Sequence, residues 1–166
     1  VPIRTVIRHP GDLDRLWAHV RQEAADAHRT FVVVPHIDEA EDDEENVAGA
    51  EAEAVRLGAL LAPLRVGLVH GRMKAAARDE EMARFRDGDL DVLVGTTVIE
   101  VGVDVPEASV MVVEGADRFG LAQLHQLRGR VGRGTASSYC VLVHDGVPLP
   151  ARAANELVDS SAPGET

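Results

Sequence analysis

The chain has a single cysteine, Cys140, and aromatic residues make up only 3% of its 166 residues. One cysteine excludes an internal disulfide framework and any site built on several thiolates. Within the apolar stretch Tyr139 to Val143 it reads as a buried strand residue. The seven histidines are scattered without a ligand spacing such as H-x-x-x-H, so no metal site is assigned. There is no apolar run of roughly 18 residues and no signal-peptide pattern, which sets the expectation of a cytoplasmic protein with no membrane partner. Lysine is nearly absent as well. The one lysine, Lys74, follows Arg-Met, and no G-x-x-x-x-G-K-[ST] occurs, so the chain does not cradle nucleotide phosphates in a P-loop.

What is present is aliphatic and acidic. A chain of 166 residues suits one domain with a real core, and plentiful Val, Leu and Ala with few aromatics fits an α/β domain. The net charge of −11 argues against a general nucleic-acid-binding surface. Much of the excess lies in an acidic run at about 38–53, which reads as a solvated, exposed insertion. Its Asp42-Asp-Glu-Glu45 does not end an apolar strand, so it is not read as a metal-binding carboxylate pair. Locally the sign reverses at Arg65, Arg72, Lys74 and Arg78, and again at Arg118, Arg128, Arg130 and Arg133. Affinity for phosphates must be focused there.

In chain order, Val1 to Arg8 reads as a short extended segment. Pro10-Gly11-Asp12 then starts a helix to about His28, in which Leu13, Leu16, Trp17 and Val20 form one apolar stripe and Trp17 serves packing. Apolar runs of strand length follow at Thr30 to Val34, Arg65 to Val69, Leu90 to Val94, Ser109 to Val113 and Tyr139 to Val143. Most are continuous rather than alternating, so both faces are buried. Helices are predicted at about Ala50 to Leu61, Lys74 to Arg86 and Leu121 to Gly132. Strands alternating with helices imply a mainly parallel sheet covered on both faces.

Each buried run ends in polar groups: Pro35-His36, His70-Gly71, Thr96-Thr97, Glu114-Gly115 and His144-Asp145. In an open parallel sheet these form the carboxyl edge, where ligands bind. Thr97 to Glu100 has capping-box spacing, which predicts a short helical turn aimed from that edge and suited to an anion, with Gly102 as its stop. His70-Gly-Arg-Met-Lys74 leads from a strand into a helix, with Gly71 allowing close approach and Arg72 and Lys74 supplying charge. An ordinary cap and a solvated helix start are the plain alternatives.

The segment Gln126 to Arg133 places three arginines and two glycines within eight residues. On a helix from Leu121 to Gly132, Gln123, Gln126, Arg130 and Arg133 share one face, while Leu124, Leu127 and Val131 share another. Such a helix buries its leucines and aims two guanidiniums together at an anion. A solvated charged helix is the bland alternative.

The run from His70 to Gly134, and DRFGLAQLHQLRGRVGR within it, resembles the second RecA-like motor domain of superfamily 2 helicases, nearest the bacterial RecG type. The transcription-repair coupling factor is the other relative that shares much of this signature. The resemblance covers about Phe31 to Asp145 and implies a RecA-like α/β sheet in a motor domain at 1–146; beyond it, Pro148, Pro150 and the tail Asp159 to Thr166 make 147–166 read as a linker or disordered tail. It further implies that Gln126, Arg130 and Arg133 are catalytic and face the γ-phosphate, and that Gly102 and Asp104 lie near the nucleotide. His36, His70, Gly71, Arg72, Thr96 and Thr97 would contact DNA. ATP with Mg²⁺ would be held mainly by a first RecA-like domain of the same chain, upstream of Val1, and the substrate would be branched or forked DNA. Two further readings stand beside this one. A self-contained enzyme acting on a phosphorylated small molecule is disfavoured by the lack of a nucleophile motif or glycine-rich phosphate loop. A non-catalytic interaction module is disfavoured by the retained Gln126, Arg130 and Arg133.

Overall fold

The Val-rich runs leave no polar side for water, so each must be covered twice, and that requirement sets the architecture. A computed structural model describes residues 3–9, 11, 13–34, 44–70, 72–96, 108–116 and 138–143. Among these, six strands form one sheet: β1 (Ile3–Arg8), β2 (Arg29–Val33), β3 (Val66–Val69), β4 (Val92–Gly95), β5 (Ala108–Val113) and β6 (Ser138–Val143). Three helices accompany them: α1 (Asp14–Ala25), α2 (Glu44–Leu60) and α3 (Ala75–Arg86). The order across the sheet is β1-β6-β5-β2-β4-β3, and every pairing is parallel. The expected α/β fold with a parallel sheet covered on both faces is therefore the observed one.

Strand alternation sorts the core into two layers. On one face Phe31, Val33, Val69, Leu93, Met111, Val113, Cys140 and Leu142 pack with Phe85 of α3. On the other, Val32, Val92, Val94, Val110, Val112, Val141 and Val143 pack beneath Leu16, Trp17 and Val20 of α1, Leu57 of α2 and Leu61 just after it. All six residues of β5 are buried, as befits a strand flanked by neighbours and covered on both faces. Trp17 is packing and Cys140 is fully buried, as the sequence indicates. Phe31 and Phe85 meet edge to face with centroids 6.1 Å apart, an arrangement that the ring quadrupoles favour.

Three expectations change. The extended segment at the start of the chain is a sixth strand, in register with β6 from Ile3 opposite Ser138 to Arg8 opposite Val143. Helix α2 starts at Glu44 rather than near Ala50 and takes in residues 44–53 of the supposed acidic insertion, more than half of it. The basic cluster also divides. Arg65 precedes β3 at the amino end of the sheet, where its backbone N–H donates to Asp91 Oδ2 at 2.9 Å and its guanidinium donates to the Gly88 carbonyl at 2.9 Å. It is a loop clamp, separated by the length of β3 from Arg72 at the other end.

Among the described residues β3 is the last strand at that side of the sheet, and α3 guards its outer side. Glu81 Oε2 accepts the Leu68 N–H at 3.2 Å, which satisfies a donor that would otherwise invite another strand. The approach needs glycine at position 67, where a Cβ would collide with the side chains of Leu90 and Glu81.

Candidate nucleotide and nucleic-acid edge

Because all strands run parallel, their carboxyl ends lie along one edge. From β1 to β3 the last strand residues are Arg8, Val143, Val113, Val33, Gly95 and Val69. The ladder continues one residue further in the middle: the Glu114 N–H donates to the Val33 carbonyl at 2.9 Å and the Val34 N–H to the Gly95 carbonyl at 2.8 Å. Alternation then sets which way the edge residues face. Val112, Val32, Val94 and Leu68 belong to the layer under α1 and α2, so Glu114, Val34, Thr96 and His70, two residues on, face that same side.

His70 is half-buried, and its Nδ1 accepts the backbone N–H of Arg72 at 3.2 Å. In the neutral ring the proton is therefore on Nε2, which makes that nitrogen a donor suited to a phosphate oxygen. The His70 carbonyl accepts the Met73 N–H at 3.2 Å, closing the turn that leads into α3, and Arg72 is exposed on it. Thr96, by contrast, is 5% exposed.

The edge also holds a group of three ionisable side chains that join two elements. Arg56 of α2 grips Glu53, one helical turn before it, through Nε to Oε1 and through Nη2 to Oε2 at 2.9 Å. Its Nη2 also stands 3.9 Å from Glu114 Oε1. Burial, then the hydrogen bond and negative charge of Glu53, push the Glu114 carboxyl up to about 9. Burial also works to raise Glu53, but the hydrogen bonds from Arg56 and Glu114 and the Arg56 charge outweigh it and hold this carboxyl below its usual value. The pair thus carries one proton at neutral pH, on Glu114, and Arg56 balances the remaining charge. The sequence singles out Glu114 as an edge residue but leaves Glu53 in a solvated run. The signal that identifies its partner is the i, i+3 spacing of Glu53 and Arg56 on a helix.

Of the residues expected at the site, His70, Arg72 and Thr96 are brought to this edge. His36, Gly71, Thr97, Gly102, Asp104, Gln126, Arg130 and Arg133 lie outside the described residues. Among the described residues no cluster of His, Cys, Asp and Glu is placed to hold a metal ion, and no helix is long and apolar enough to cross a membrane.

The family described as "Helicase conserved C-terminal domain" matches residues 12–135. The ATP-dependent DNA helicase RecG of Mycobacterium tuberculosis (strain ATCC 25618 / H37Rv) is 53% identical over 140 residues, covering 80% of this chain and 19% of the relative. RecG of a Synechocystis species is 40% identical over 164 residues, covering 98% of this chain and 20% of the relative. The solved structure of RecG bound to a three-way DNA junction superposes with a TM-score of 0.73 at 39% identity, over 95% of this chain and 20% of that one. Dbp5 of S. cerevisiae, with a TM-score of 0.60 at 19% identity over 93% of this chain and 37% of that one, shares the fold. The chain spans about a fifth of the length of the RecG relatives it matches. The parallel sheet, its polar carboxyl edge and a family match running from the start of α1 almost to β6 lead to one assignment: this chain belongs to the helicase conserved C-terminal domain family.

Proposed function

We propose that the chain is the second RecA-like motor segment, at 1–146, of an ATP-dependent DNA helicase of the RecG type that acts on branched or forked DNA in the cytoplasm. The observation that carries this reading is the 40–53% identity to RecG helicases extended over most of the chain. In this reading His36, His70, Gly71, Arg72, Thr96 and Thr97 serve the DNA backbone, with His70 Nε2 a donor to a phosphate oxygen. Gly102, Asp104, Gln126, Arg130 and Arg133 serve ATP, whose Mg²⁺ and phosphates are held mainly by a first RecA-like domain of the intact protein. Arg130 and Arg133 act by stabilising charge that develops on the transferred phosphoryl oxygens, a task suited to rigidly held guanidinium forks. Thr96, 5% exposed, has only a small part of its surface to offer to the DNA backbone, and the neutral Glu114 keeps the edge from repelling phosphates. The test is ATP hydrolysis by the intact protein with and without a three-way DNA junction. Hydrolysis strongly stimulated by the junction is expected; hydrolysis that is absent, or indifferent to DNA, contradicts the reading.

A further inference from the structure

A cleft of about 270 Å³ opens between β1, β6 and α1, away from the strands that carry His70 and Thr96. Its floor is apolar, made by Val6, Leu16 and Val141. One wall is a pair of rings, His19 and Tyr139, packed edge to face with centroids 4.7 Å apart. Its rim is cationic: Arg8 and Arg15 both line it and both are exposed. On a chain of net charge −11 this is a local reversal of sign. The acidic groups of α1 do not cancel it. Glu23 is turned to His19 and His28, with its side chain 10% exposed, and Asp14 is the immediate neighbour of Arg15, a spacing at which helical side chains do not face one another.

We propose that this cleft binds the sugar–phosphate backbone of DNA. The inference rests on the helicase reading above. The chemistry that selects this occupant is the combination of two guanidiniums with an apolar floor. A free phosphate would use the first and leave the second empty, whereas a nucleic-acid backbone alternates charged phosphates with the carbon faces of sugars. Position supports it too. Arg8 ends β1 in register with Val143, so it stands on the same carboxyl edge as His70. It also faces the same side of the sheet, because Val6 packs in the layer under α1 and α2. Six strands lie across that edge; at ~4.8 Å per spacing its two ends are about 24 Å apart. One strand of B-form DNA supplies a phosphate every ~3.4 Å of axis, so about seven phosphates cover that distance. A single duplex that lies along this edge is thus long enough to touch His70 and Arg72 at one end and the Arg8–Arg15 rim at the other.

The experiment measures the affinity of the intact protein for a fluorescently labelled three-way DNA junction across roughly 50 to 200 mM salt, comparing the parent with Arg8→Gln/Arg15→Gln. Two lost phosphate contacts should weaken binding about tenfold at the low-salt end. They should also make the slope of log affinity against log salt shallower by about 1.8, at ~0.9 per contact. Arg8→Lys/Arg15→Lys, which keeps the charge, should retain the parental slope, and all three proteins should melt alike. Parental affinity and slope in the glutamine variant overturn the proposal, and that is the result if the cleft instead receives an acidic segment of a protein. A parent protein that does not bind the junction at all sinks the helicase reading and this inference together, so the two failures are distinguishable.

Discussion

Glu114, one residue past β5, and Glu53 of α2 share one guanidinium at the carboxyl edge of the sheet: Arg56 Nη2 donates to Glu53 Oε2 at 2.9 Å and stands 3.9 Å from Glu114 Oε1. Two carboxylates in a half-desolvated setting do not both ionise at neutral pH, and the geometry decides which one keeps the proton. Arg56 is committed to Glu53 by two hydrogen bonds and only approaches Glu114, so Glu114 is the acid.

This pairing has a consequence for stability against pH. Glu114 is raised from 4.5 to about 9, so between those values the folded chain holds a proton that the unfolded chain has released. Its contribution is full below about pH 4.5, declines as pH rises through the window and is lost above about 9. Glu53, shifted down, acts in a separate range, losing its contribution as pH falls below 4.5. Glu114→Gln keeps a neutral donor and removes the titration. The variant should gain melting temperature relative to the parent as pH is raised from 6 toward 9, on the ~1.4 kcal/mol per pH unit scale of one linked proton as an upper bound. Parallel pH profiles for the two proteins would contradict the shared proton.

The outer side of β3 depends on Gly67. A Cβ there meets the Leu90 side chain and the Glu81 carboxylate, so Gly67→Ala displaces the group that accepts the Leu68 N–H. Overpacking of this kind costs about 1–3 kcal/mol. A urea midpoint lowered accordingly, with an unchanged m-value, is the expected result; an unchanged midpoint would show that the strand accommodates the methyl group.

The 166-residue chain has no P-loop of its own. By itself it should hydrolyse no ATP and bind it in the millimolar range or weaker, roughly −4 kcal/mol or less favourable. Calorimetric titration reads this directly, and a micromolar constant would mean that the chain holds nucleotide phosphates without a P-loop.

How much of this was legible in the sequence follows from where each residue finds its partner. The runs around Phe31, Leu93 and Met111 announce themselves because a strand buried on both faces has no polar positions. β1 is harder to read, since it pairs with β6 alone and carries Arg4, Thr5 and Arg8 among its apolar residues. The start of α2 was hidden by charge: a dense acidic run reads as solvated, while Glu53 in fact finds Arg56 one turn on. Arg65 and Arg72 look like neighbours in sequence, yet a four-residue strand, about 13 Å long, separates them. His70 and Arg72 could be assigned to the edge because strand ends are visible in the pattern. The pairing of Glu114 with α2, and the cleft that joins Arg8 to Arg15, are products of tertiary packing that no local spacing encodes.

The central claim is that this domain supplies the guanidiniums that complete an ATPase site, and kinetics of the intact protein test it most directly. If Arg130 and Arg133 act mainly in the transition state, as proposed, Arg130→Ala and Arg133→Ala should lower kcat for ATP roughly 10³-fold or more while nucleotide affinity changes far less. Lysine should rescue poorly, because a point charge does not reproduce a bidentate fork. Variants that melt like the parent and lose turnover on this scale support the claim. Variants that melt like the parent and still hydrolyse ATP within a few-fold of it would show that these arginines serve packing or DNA contact, and that the catalytic assignment is wrong.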